Sequence, residues 1–275
     1  MKYGFVLPKG DARTVAKMAA LAERSGWDGF FVWEPIWGID PWVSLAAAAM
    51  VTTSIRLGTM LTPISIRKPW KLASETATLD NLSNGRLILS VGLGAVDTGF
   101  ANFGEQIDRK IRAELVDEGL NILTGLWNGQ PFTYEGKHYQ IKETGFYPPP
   151  PPLQQPRIPI WVVGAWKREK SLARALRYDG LLPDVMTPEG EHRRATPDEV
   201  GEIRAYIIAN RTDTGPYDIV VEGETPADDP VKARDQVHPW NEAGATWWIE
   251  ASWTIIDDPD CAEKLQQRIQ AGPPR

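Results

Sequence analysis

Short apolar runs alternate with stretches of helical periodicity from one end of the chain to the other. YGFVL (3–7) reads as a strand, and TVAKMAALAERSG after it carries apolar residues at helical spacing and stops at Gly26. GFFVW (29–33) is a second strand. Asp40-Pro41 then reads as an N-cap and first-turn proline opening a helix to about Thr53. IRLGTML (55–61) is a third strand, and PWKLASETATLDNLSNG is a helix stopped by Asn84-Gly85. RLILSV is a fourth strand, followed by a helix over roughly Ile111 to Trp127. Residues 128–157 interrupt the rhythm: NGQPFTYEGKHYQI predicts a hairpin, and Pro148 to Pro152 a stiff, extended connector. The alternation resumes with PIWVVG (159–164), a helix from about Arg168 to Arg177, DGLLP (179–183) and the helix PDEVGEIRAYIIANR. DIVVEG (218–223), a helix from about Pro230 to Ala243, ATWWIEA (245–251) and a helix near Pro259–Ala271 complete the pattern. Strands alternating with helices imply a parallel sheet with right-handed crossovers. Eight such pairs in 275 residues predict an α/β fold, a (β/α)8 TIM barrel forming one domain over 1–275, with 128–157 inserted between strands 4 and 5. An open doubly wound sheet is the alternative.

Composition narrows the function classes. The net charge is −6 with both signs interspersed, so neither a nucleic-acid partner nor an anionic membrane is expected. The one cysteine, Cys261, rules out a disulfide framework and fits a cytoplasmic location. MKYGFVLPKG has no apolar core of signal-peptide length, and the run near WVSLAAAAMV is too short to span a membrane. Twelve tryptophans are unusual, and several fall just after predicted strands, where a barrel binds its ligands.

RLILSVGLGAVDTGF (86–100) carries an apolar run into Gly92-Leu93-Gly94. A dinucleotide turn needs a third glycine where Asp97 stands, and belongs to a first strand rather than a fourth. The glycines instead mark a loop at the catalytic face of a barrel, where a flat ring or a phosphate approaches backbone.

Several blocks then carry a family resemblance. RKPWKLASETATLDNLSNGRLILSVGLG, AERSGWDGFFVWEP, IRLGTMLTPI, LWNGQPFTYEGKHYQI and PIWVVGAWKREKSLARALRYDGLLP, in that order, resemble the bacterial luciferase-like superfamily of flavin- or deazaflavin-dependent oxidoreductases. The resemblance implies a (β/α)8 barrel, FMN or coenzyme F-420 as cofactor, no metal, a small-molecule substrate and a homodimer. It implies a non-proline cis peptide at Thr59–Met60, with Thr59, Met60 and Leu61 behind the cofactor ring and Gly92, Leu93 and Gly94 beside it. It also implies that the turn Gly164, Ala165, Trp166, Lys167, Arg168 holds the cofactor phosphate, the more so because Leu93 stands where luciferase has an arginine.

Where deazaflavin relatives often carry Asp-His after the second strand, this chain has Glu34-Pro35. Glu34 is therefore the candidate catalytic carboxylate. Trp33, Trp37, Glu222 and Trp248 are candidates for the substrate pocket, with Trp166, Trp247 and Glu250 also near predicted strand ends. His138, His192 and His238 fall at no predicted C-terminal strand end, which argues against histidine proton transfer and a zinc triad. The expected activity is monooxygenation by reduced FMN and oxygen, or deazaflavin hydride transfer. A flavin-binding barrel without turnover is the alternative, and a barrel hydrolase ranks third because no nucleophile motif is present.

Overall fold

A computed structural model describes residues 1–145 and 147–275. Eight parallel strands close on themselves: β1 Lys2–Leu7, β2 Gly29–Val32, β3 Arg56–Thr59, β4 Leu87–Gly92, β5 Ile160–Ala165, β6 Gly180–Met186, β7 Asp218–Gly223 and β8 Trp247–Glu250. Each pairs with the next, and β8 returns to β1 with Lys2 opposite Trp247. Helices α1 Ala12–Arg24, α2 Pro41–Ala49, α3 Pro69–Leu82, α4 Arg109–Trp127, α5 Glu169–Ala175, α6 Pro197–Asn210, α7 Pro230–Ala243 and α8 Cys261–Gln270 follow the strands in turn. This is the expected (β/α)8 barrel, and the open sheet is excluded by the β8–β1 pairing.

Elements differ from the sequence reading where side chains take over backbone groups. The second helix ends at Ala49, short of Thr53, because the buried Arg86 guanidinium takes the carbonyls of Ala49, Thr52 and Ile55. The third strand is broken. Its first part ends at Thr59, the Met60–Leu61 peptide is cis, and Thr62–Pro63 then pairs with Val91–Gly92. The cis bond thus lies one residue beyond the expected Thr59–Met60. Strand β6 runs on to Met186 because His192–Arg193 folds back and pairs antiparallel with its end.

The insertion forms the expected hairpin, Phe132–Glu135 against Gln140–Thr144. Its return path is tied to α3: buried Asp80 accepts from the Leu153 and Gln154 amides at 2.8 and 3.1 Å and from the Gln154 side chain at 2.7 Å.

Two apolar regions result. Outward-facing strand residues such as Phe5, Leu57 and Leu89 pack under the helices. Inward-facing residues fill the barrel, where Phe31, Trp161 and Trp247 form one aromatic cluster with centroids 5.1–6.2 Å apart. Glycines on neighbouring strands make room for it. A Cβ on Gly4 or Gly29 would stand 2.8 Å from the Phe31 ring, and one on Gly180 would stand 2.5 Å from Trp161. The lower barrel is therefore packed by these side chains, and the barrel opens into a cavity at its C-terminal mouth.

Two outcomes test this account. Glu23 accepts amides from Thr53, Ser54 and Ile55 and so fixes the loop entering β3. Burial works against its charge, but those donors hold its pKa down at about 2. A carboxyl lowered on folding stabilises above its unfolded pKa and loses that contribution as pH falls through the folded one. Glu23→Gln should cost about 1–2 kcal/mol at neutral pH, after discounting for partial exposure, and the difference should vanish by about pH 2 in urea unfolding. Gly94 sits at φ +77° with Pro63 and Phe100 atoms 2.6 and 2.7 Å from where a Cβ would lie. Gly94→Ala should cost about 1–3 kcal/mol by the same assay, combining left-handed strain with overpacking.

Candidate active site

The mouth holds a cavity of about 990 Å³, walled by the ends of all strands but β1 and by the loops after them. One wall is the ledge made by the break after β3. Met60 is 4% exposed and Leu61 lies beside Gly92, whose missing side chain leaves 3.1 Å between an added Cβ and Leu61. Thr59 lies beneath, fully buried, its hydroxyl 2.8 Å from that of Thr62.

Glu34, 5% exposed, stands over this ledge. Both of its oxygens are engaged: Arg67 donates to Oε1 from Nε and Nη2 at 2.5 Å, and Thr62 donates to Oε2 at 2.6 Å. Arg67 also reaches Glu75 at 3.2 Å and Asp40 at 3.7 Å. Burial raises the Glu34 pKa, and Arg67 pulls against it. The carboxylate is thus the centre of a clamp joining the β2, β3 and α3 loops.

A second wall is cationic, with Arg109, Arg112, Arg174, Arg193 and Arg194 lining it. Most of these are matched: Arg174 by Asp117 at 2.7 Å, Arg193 by Glu199 at 2.7 Å and Arg194 by Glu224 at 3.9 Å. Arg112 differs. It is 6% exposed, its Nη1 donates to the carbonyls of Leu93 and Gly94, and its buried Nε has no partner among the described residues. No described carboxylate forms an ion pair with it or with Arg109; burial, then Arg109, press its pKa down, and the Asp108 carboxylate pulls the other way. A buried guanidinium without a counter-charge is costly unless an anion joins it.

A third wall carries Glu222 on the inward face of β7, with Leu182, Val220, Ile249 and Trp253 around it. Among the described residues its hydrogen bond comes from Trp253 at 3.4 Å, and Trp253 in turn meets Trp33 edge to face at 6.1 Å. Burial raises its pKa, opposed by Arg194 and the Trp253 bond.

The fold thus brings Trp33, Glu34, Met60, Leu61, Gly92, Leu93, Gly94, Ala165 and Glu222 to one cavity and leaves other candidates off its wall. Trp37 is 80% exposed and stacks on Phe103 outside it. Trp248 faces outward because strand residues alternate: its neighbours Trp247 and Ile249 take the barrel interior, while Trp248 packs on Trp240 and bonds Glu250. Glu250 is likewise outside, held by Thr225 and Arg268. Gly164 faces α5, and a Cβ there would come within 2.2 Å of Leu181, so its job is strand–helix packing. Trp166 packs on Tyr206, Lys167 pairs at 3.6 Å with Glu202, and Arg168 is exposed.

Sequence reasoning missed Arg112, Arg174 and Trp253, and it set His192 aside. His192 reaches the cavity because its short strand folds back on β6, where Nδ1 lies 2.7 Å from Asp184. A helical arginine three residues into an amphipathic stretch looks like any surface residue, so no local signal marked Arg112.

The family model described as luciferase-like monooxygenase matches residues 3–270. An uncharacterised protein of Mycobacterium tuberculosis is 34% identical over 196 residues, covering 62% of this chain and 67% of its own. Another protein of that organism, provisionally named a coenzyme F420-dependent oxidoreductase, is 31% identical over 183 residues, covering 63% and 51%. Among solved structures, the coenzyme F420-dependent tetrahydromethanopterin reductase of Methanopyrus kandleri superposes with TM-score 0.76 at 17% identity, covering 98% of both chains. The oxygenating constituent of 3,6-diketocamphane monooxygenase from Pseudomonas putida, in complex with FMN, gives 0.72 at 18%, covering 97% of this chain and 96% of that one. Those two likenesses are of fold, while the sequence match extends almost end to end: the chain belongs to the luciferase-like monooxygenase family.

Proposed function

We propose that this protein is an oxidoreductase that holds reduced FMN or coenzyme F-420 in the mouth cavity and acts on a small organic molecule there. The observation that carries this reading is Arg112, a buried guanidinium with an unpartnered Nε, on the wall of the same cavity as the Met60–Leu61 ledge. That pairing suits a ligand with an anionic tail and a flat apolar ring, which is what either cofactor offers. Residues fitted to the tail are Arg112 and Ala165, and Gly92 and Gly94 belong to the same wall. The bound cofactor would supply hydride transfer or, as reduced FMN, oxygen activation.

The protein's own contribution is positioning, exclusion of water and proton control. Glu34, Arg67 and Thr62 hold the ledge in place. Trp33 and Trp253 meet edge to face on the cavity wall. A homodimer, as the resemblance implies, is supported by exposed Val43 and Met50 near α2 and Trp70 and Leu82 on α3. A cofactor-binding barrel without turnover is the second reading, favoured by the engagement of both Glu34 oxygens.

Titrating the protein with FMN and with coenzyme F-420, then reducing the complex and following oxygen uptake, separates these readings. No binding of either would refute the first. Arg112→Ala should weaken cofactor binding by about 10–100-fold, the loss of a charge-assisted contact worth ~1–3 kcal/mol. Replacing Lys167 and Arg168 together should change it by less than about threefold, as for exposed charges. Glu34→Gln should lower stability by about 2–3 kcal/mol in urea unfolding, because it leaves Arg67 short of its counter-charge. A variant as stable as the parent but without turnover would instead make Glu34 the acid.

A further inference from the structure

We propose that Glu222 is the carboxylic acid this cavity presents to its substrate, and that the substrate is a neutral, largely apolar molecule whose oxygen accepts the Glu222 proton. The inference rests on the oxidoreductase reading above and adds a substrate class and a proton donor to it.

The carboxyls on the cavity wall are not equivalent. Glu34 is clamped by Arg67 and Thr62, with both oxygens occupied. Asp184 at the end of β6 is engaged by His192 at 2.7 Å. Asp97 lies on the exposed loop after β4. Glu222 alone faces inward from a barrel strand with one long hydrogen bond, from Trp253 at 3.4 Å. Its surroundings are the apolar side chains of Leu182, Val220 and Ile249 and the Trp253 indole.

The charged groups nearby do not neutralise it. Arg194 is the attractive one, yet its guanidinium lies 3.9 Å from Glu224 and 3.5 Å from the Ala251 carbonyl. Glu224, two residues on, repels a second negative charge. Arg193 is held by Glu199. On β8, Glu250 faces the opposite side of the sheet, bonded to Thr225 and Arg268. A half-buried carboxyl among apolar groups, without a cation bonded to it, favours the neutral form, in line with its raised pKa.

A neutral carboxyl has one O–H to donate. In the acid step that O–H bond breaks, a bond forms between the proton and the substrate oxygen, and the electron pair stays on the carboxylate. Solvent at the mouth returns the proton, so no oxidant or reductant enters the step. The apolar wall selects against a charged group at this place. Anionic groups find their match at Arg112, on another wall.

The test uses protein loaded with FMN or coenzyme F-420 and reads the change in the cofactor's visible absorbance on adding cyclohexanone or cyclohexanecarboxylate. The ketone should bind, and more tightly than the carboxylate. Its Kd should rise about tenfold per pH unit above the Glu222 ionisation, because the donor is lost there. Glu222→Gln, which donates but does not titrate, should bind the ketone with no such rise, and Glu222→Asp should restore it. A pH-independent Kd in the parent, the same rise in Glu222→Gln, absence of ketone binding or tighter carboxylate binding would each overturn the proposal. Failure to take up either cofactor would fail the oxidoreductase reading itself, and this proposal with it; failure in the loaded protein would fail the proposal alone.

Discussion

Filling of the lower barrel by Phe31, Trp161 and Trp247 is the constraint on which the rest depends. Aromatic rings of this size fit inside eight strands only if the facing positions are vacated, and Gly4, Gly29, Gly58 and Gly180 vacate them. The cluster closes the bottom of the barrel and leaves a ligand-sized volume at the mouth. It also supports the residues above it, for Met60 and Ile249 belong to the same inner cluster and form part of the cavity wall.

Above that floor, charge is distributed by the loops. Glu34 and Arg67 pair across the β2 and β3 loops and brace the ledge. Arg112 has no such match, because the helix that carries it meets the cavity through backbone carbonyls rather than through a carboxylate. Glu222 has no cation bonded to it, and the nearby Arg194 is shared with Glu224. A cavity with an unneutralised cation on one wall and an uncompensated acid on another is polarised before any ligand arrives, which is the preorganisation that binding and catalysis both draw on. Burial of these groups costs stability, and the apolar packing of the barrel and its helices offsets that cost.

Much of the architecture was legible along the chain because periodicity reports which face of an element is covered. The alternation of strand and helix, the insertion after the fourth helix and the glycine stop at Asn84-Gly85 all follow from local chemistry, and the structure has them where the pattern puts them. Helix and strand ends shifted where a distant side chain intervened, as Arg86 does at the end of α2 and the His192–Arg193 strand does at the end of β6.

The sequence by itself determined the barrel and the segments that reach its mouth cavity: the ends of β2, β3, β4, β5 and β7. It could do so because strand direction and loop position are set by neighbours in the chain. Which residues of those segments face the cavity was decided by tertiary structure. Trp247 and Trp248 are adjacent and chemically alike, yet one plugs the barrel and the other packs under a helix, because the register with β1 and β7 fixes which faces inward. The partners of Glu34, the isolation of Arg112 and the return of His192 to β6 are separated from their contacts by stretches of sequence that carry no record of the distance in space. Ionisation follows from those partners and from burial, so the roles of the acidic residues became readable only once the chain was folded.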